Sequence, residues 1–133
     1  MEIERGRIMS REIKFRAWNI HNEQMCEVSH INLKGKSGVM SCAKYTSSFV
    51  FDEVILEQFT GLQDTNGVEI YEGDILELYK NKQRYVESVK YNETNRQFEA
   101  VVDDFGVYDL MRFYTIKVIG NIHENPELLE VQE

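Results

Sequence analysis

Apolar and polar residues alternate with a period of two along much of this chain, in short runs separated by turn residues. Ile13, Phe15 and Ala17 alternate with Lys14, Arg16 and Trp18, which predicts a half-buried strand whose apolar members face the core. Residues 21–23 predict a turn and residues 24–28 a returning strand, together an N-terminal β-hairpin. Residues 34–48 are rich in Gly, Ser and Lys with little periodicity, which predicts a mobile surface loop or linker. Residues 49–60 are apolar and β-prone and predict a strand, with a helical turn as the alternative over 53–59. Further on, Leu76 and Leu78 flank Glu77, Tyr85 and Val89 share a face, and so do Phe98, Ala100 and Val102 after a turn at 92–95. Tyr114, Ile116, Val118, Gly120 and Ile122 make the longest alternation in the chain.

The turn chemistry fixes how these strands connect. Asn66-Gly67 predicts a type I′ hairpin turn with positive φ at both residues, and Gly61 and Gly73 are further points where the backbone can reverse without steric cost. Connections this short are incompatible with parallel crossovers, so the fold class is mainly β, with antiparallel hairpins forming a small SH3-like barrel or sandwich. Asn125 as N-cap and Pro126 as first helical residue predict a short C-terminal helix over 126–131, with Leu128 and Leu129 docking on the core. Residues 105–112 predict one other helical turn.

A length of 133 residues fits one domain that buries about two-thirds of its unfolded surface. Residues 1–8 read as a disordered extension and 9–133 as the domain, divided into an N-terminal part over 9–60 and a barrel-like part over 61–133. The chain shows neither a long apolar run nor a secretory h-region, so the expectation is a cytoplasmic protein with no membrane partner. In that compartment Cys26 and Cys42 are expected as two reduced thiols. Net charge is −8 and is divided unevenly: residues 1–51 carry 8 Lys/Arg against 5 Asp/Glu, and residues 52–133 carry the remaining 7 against 18. The acidic majority is repelled by phosphate, and the two halves are expected to attract one another within or between subunits.

Most candidate chemistry fails on spacing. Gly35-Lys36-Ser37 resembles the tail of a phosphate-binding loop, but His30 stands where its first glycine belongs. The stretch 64–67 resembles half of a calcium loop, but Glu69 and Ile75 occupy the positions that need glycine and glutamate. His21, Cys26, His30 and Cys42 carry zinc-binding atoms at gaps unlike those of structural zinc sites. His123 reads as a surface histidine beside a helix cap, and nothing marks a nucleophile or an acid/base pair. One surface feature remains: Lys14, Arg16 and Trp18 share a strand face, so two cations flank the only tryptophan. Such a patch suits protein contact or stacking of single-stranded nucleic acid, unless another part of the chain covers it.

Three segments carry a family resemblance: K-F-R-A-W-N at 14–19, F-T-G-L-Q-D-T-N-G-V-E-I-Y-E-G-D-I at 59–75, and V-I-G-N-I-H-E-N-P-E-L-L at 118–129. In this order they resemble the YopX family of small bacteriophage and prophage proteins, over roughly residues 9–130, with Met9 standing where members begin. The resemblance implies a phage or prophage origin. It implies no reaction, catalytic residue, cofactor or metal. The expected function is a cytosolic binding or interaction module for a host or phage protein, with homo-oligomers possible. The alternatives are a β-barrel protein that binds single-stranded nucleic acid and, more weakly, an enzyme whose site only the fold reveals.

Overall fold

The computed structural model describes residues 12–100 and 106–130. The expected extension at 1–8 and the placements of Val102, Phe105 and Val131 lie outside these residues. The described chain is mainly β, and every strand pairing is antiparallel. The strands are β1 (Phe15–Asn19), β2 (Gln24–Asn32), β3 (Ser37–Cys42), β4 (Tyr45–Val50), β5 (Val54–Gln63), β6 (Glu69–Tyr71), β7 (Asp74–Lys80), β8 (Gln83–Ser88), β9 (Lys90–Asn92), β10 (Gln97–Glu99) and β11 (Thr115–Asn121). One short helix, α1 (Val107–Leu110), precedes β11, and 3-10 turns occur at Phe51–Glu53 and Pro126–Leu129. No helix among the described residues is long and apolar enough to cross a membrane.

The strands form a six-stranded sheet in the order β4-β3-β2-β1-β5-β6, a three-stranded sheet β11-β7-β8, and a β9-β10 ribbon. They do not close into a barrel: β4 and β6 end the large sheet, β8 and β11 the smaller one. The buried apolar residues form two clusters. Ala17, Cys26, Met40, Phe49 and Val54 pack on one side of the large sheet. A second cluster joins Ile70, on β6 at the end of the large sheet, to Leu76, Leu78 and Ile116 of the small sheet, to Val89, and to Val107 and Leu110 of α1.

Four local expectations need correction. Residues 34–48 are not one loop: after a turn over 34–36 they enter the paired strands β3 and β4. Their small polar residues hid a hairpin whose Met40 and Phe49 are core, and whose Gly38 leaves room for the Phe49 ring across the ladder, since a Cβ there would lie 2.7 Å from that ring. At the 64–67 turn only Gly67 has positive φ (85°), so the turn is not type I′. Gly67 N–H donates to the Asp64 carbonyl and Asp64 N–H to that of Val68, as in a type I turn followed by a glycine bulge. The C-terminal helix is a 3-10 turn at Pro126–Leu129, because the Asn125 side chain accepts from Asn121 N–H instead of capping. Finally, Ile13 lies outside β1 and is 62% exposed.

The cysteines are the fifth correction. Register pairs Glu27 with Ser41, which sets Cys26 directly opposite Cys42 with Cα atoms 4.5 Å apart, and the two sulfurs are bonded. That separation is the one found between non-hydrogen-bonded partners of an antiparallel ladder, so adjacency in the hairpin brings the thiols together. A sequence separation of 16 conceals this as long as 34–48 is read as a loop.

Candidate functional site

The face of β1 that carries Arg16 and Trp18, with Lys14 just before the strand, is turned toward the acidic half of the same chain. Arg16 is the centre of the contact and its side chain is 13% exposed. Its Nε donates to Glu57 Oε1 on β5 at 2.9 Å, its Nη1 meets Asp74 Oδ1 at the start of β7 at 2.8 Å, and its Nη2 donates to the Glu72 carbonyl at 3.1 Å. The guanidinium also lies over the Tyr71 ring, 4.9 Å from its centroid. Lys14 pairs with Glu69 at 2.5 Å, and that hydrogen bond raises its pKa. Both cations of the sequence-predicted patch are therefore engaged by carboxylates beyond residue 51, and the attraction between the charge halves is satisfied within the subunit.

Trp18 stacks on His123, with ring centroids 5.0 Å apart and planes 10° from parallel. His123 is not a surface residue on the last strand, as its sequence position suggested. It lies in the turn after β11, is 11% exposed, and its Nε2 is 2.8 Å from Glu57 Oε2. A β-bulge between Val118 and Gly120 places it there. The bulge inverts the alternation of β11, so that Asn121 is buried and Ile122 exposed. Asn121 Oδ1 then accepts from the N–H groups of His123 and Glu124, setting the turn that aims the imidazole at Glu57.

Glu57 and Asp74, which sequence reasoning did not single out, are 6% and 4% exposed. Burial pushes the Asp74 carboxyl above the usual range, against the lowering pull of the Arg16 charge and of its bonds from Tyr71 N–H and Arg16. Gly73 (φ 84°) completes the cluster, since a Cβ there would overlap the Glu57 carboxylate. Each oxygen of Glu57 and of Asp74 has a partner: Arg16 and His123 for the former, Arg16 and Tyr71 N–H for the latter. Through these contacts the cluster ties β1 to β5, to the start of β7 and to the turn after β11.

Other sequence candidates have structural explanations. Asp64 is buried; Oδ1 accepts from Asn66 and Val68 N–H, and Oδ2 from Val118 N–H, which ties the 64–67 turn to β11. Gly35-Lys36-Ser37 lies in the connection between β2 and β3, with no helix behind it. Cys26 and Cys42 are bonded to each other.

The concave feature of the surface lies elsewhere. A groove of about 740 Å³ runs between β5, the β9-β10 ribbon and α1. Gln58, Thr60 and Leu62, alternate residues of β5, form one wall; Tyr91, Phe98 and Tyr108 line the other. Tyr108 is 66% exposed, and Tyr91 packs edge-on against Phe98 at 5.1 Å.

Comparison with known proteins agrees with this architecture. The comparison with curated proteins gives no match. Among solved structures, the crystal structure of protein EF1440 from Enterococcus faecalis is similar, with 30% identity, a TM-score of 0.61, and a match covering 91% of this chain and 100% of that one. The family model described as YopX protein matches residues 14–130. That span contains Arg16, Trp18, Glu57, Asp74 and His123, and on it the chain belongs to the YopX family.

Proposed function

We propose that this protein is a phage- or prophage-encoded binding module of the host cytoplasm that holds an extended peptide segment of a host or phage protein. The observation that carries the proposal is the groove between β5 and the β9-β10 ribbon, lined by the three aromatic residues Tyr91, Phe98 and Tyr108 together with Gln58, Thr60 and Leu62. Tyrosine supplies a large, rigid contact area at low entropic cost, and Gln58, Thr60 and Leu62 add polar and apolar contacts along the irregular part of β5 between Phe59 and Leu62. Glu72 and Glu93 against Arg96 leave the lining mildly acidic, which favours a neutral or basic segment. Protein is favoured over nucleic acid because Lys14 and Arg16, the cations that a phosphate backbone would need, already hold carboxylates.

The test is affinity capture from phage-infected host cells, with and without nuclease, using the wild type and Tyr108→Ala. The expected result is a protein retained after nuclease treatment and lost with the variant, whose binding is then reproduced with the purified partner. Nuclease-sensitive capture would restore the nucleic-acid alternative. Equal capture by wild type and variant would remove the groove as the site.

A further inference from the structure

The three free sheet edges formed by strands of six or more residues are not alike. β8 carries Arg84 and Glu87. β11 is bulged, and its outer side is covered: Thr65 N–H donates to the Ile116 carbonyl, Ile116 N–H to Thr65 Oγ1, and Val118 N–H to Asp64 Oδ2. β4 is less protected, its outer groups being met only by the side chains of Glu53 and Ser47. Its sequence Y-T-S-S-F-V contains no charge and no proline, and its register with β3 is unbroken from Cys42↔Tyr45 to Ser37↔Val50. Proteins normally blunt such an edge, because unpaired N–H and C=O groups template further strand pairing.

The outward groups can be identified. Phe51 N–H continues the inner ladder by donating to the Lys36 carbonyl, so Val50, Ser48 and Thr46 point outward. Among the described residues no backbone hydrogen bond reaches the outer groups of Thr46 or Ser48. Only side chains do so: Glu53 Oε1 accepts from Val50 N–H, and the Ser47 hydroxyl donates to the Ser48 carbonyl.

We infer that β4 pairs with β4 of a second copy of this chain, antiparallel about a two-fold axis at Ser48. In this register Ser48 faces its own symmetry mate and Thr46 faces Val50, whose N–H exchanges the Glu53 carboxylate for the partner's Thr46 carbonyl and frees that carboxylate. The flanking charges indicate a second copy as the occupant. The same register brings Lys44, at one end of β4, toward Asp52 and Glu53 of the partner's other end, twice by symmetry. Lys44 and Asp52 are exposed and in no ion pair among the described residues. An interface in which one patch is complementary to itself is what a two-fold dimer requires, and the two large sheets then become one continuous sheet. This contact is independent of the groove, which lies at the other end of the large sheet beside β5.

Sedimentation from micromolar to millimolar concentration tests the inference, with Ser48→Lys, Ser48→Asp and their equimolar mixture. Ser48 is exposed and its N–H faces away from β3, so both variants should keep the wild-type circular dichroism spectrum. The wild type should dimerise, and each variant should weaken the dimer by about fivefold or more, because like charges meet across the axis. Mixing them should restore association as a heterodimer. A wild type that stays monomeric throughout, a dimer indifferent to both variants, or a mixture no tighter than either variant alone would overturn the inference. So would an unrelated extended peptide that binds β4 while the chain itself remains a monomer.

Discussion

Replacing Arg16 with Met removes the guanidinium but keeps most of the apolar stem, so it isolates the charge. The loss leaves Glu57 and Asp74 buried without their shared counterion, at side-chain exposures of 6% and 4%. Removing one partner from a buried ion pair costs about 3–5 kcal/mol, chiefly as the desolvation of the charge left behind. Against a total stability of about 5–15 kcal/mol this is a large fraction, readable as a lower urea midpoint at unchanged slope. The pH dependence sharpens the test. Burial already holds the folded Asp74 carboxyl above its ordinary pKa, and the two contributions of Arg16, charge and hydrogen bond, oppose that rise. Without them it rises further. Between the unfolded and folded values the native chain binds more protons than the unfolded chain, so stability falls as pH increases through that interval. The deficit of Arg16→Met should therefore be greatest near pH 7 and narrow as pH is lowered into the interval. A loss below about 1 kcal/mol, or a deficit that is constant or grows in acid, would refute the role given to Arg16.

Two further outcomes follow from the backbone and the cysteines. Gly67 and Gly73 have similar positive φ, but a Cβ on Gly67 would make only an ordinary van der Waals contact with Gln63, whereas one on Gly73 would overlap Glu57. Gly67→Val should cost about 1–3 kcal/mol of strain, and Gly73→Ala distinctly more despite the smaller side chain; thermal melts in which the two cost the same would show that Glu57 yields freely. Reducing the Cys26–Cys42 bond opens a loop of sequence separation 16 and should lower stability by about 3 kcal/mol, so melts with and without reductant should differ by several degrees, and coincident melts would show that hairpin pairing alone holds β2 to β3.

The strand content, the antiparallel class and the two faces of β1 were legible because alternation is a local signal that Arg16, Ala17 and Trp18 carry plainly. What escaped was non-local or masked by composition. β3 and β4 were hidden because glycine and serine are loop formers on their own, and they act as strand residues only beside Met40 and Phe49. The bulge in β11 breaks an alternation that reads as continuous in the sequence, and with it goes the side to which His123 points. Glu57 carries no local mark; it becomes central because residues 41 and 66 positions away reach it. A partial signal existed. Arg16, Asp74 and His123 each fall in one of the three family segments, and segments shared in order along a chain of this size are candidates for a common neighbourhood.

The position of β1 inside its sheet has a consequence for synthesis. It pairs with β2 immediately, but its other side waits for β5, and its polar face waits for Asp74 and then His123. A chain emerging from the ribosome amino end first therefore leaves Arg16 without its carboxylates until Asp74 has appeared and Trp18 without its stacking partner until His123 has, and such long-range closures are slow to form. The segment around Asn121 and His123 acts as a late latch, and a truncation before it should release a chain whose first strand is paired on both edges but whose Trp18 ring lies uncovered.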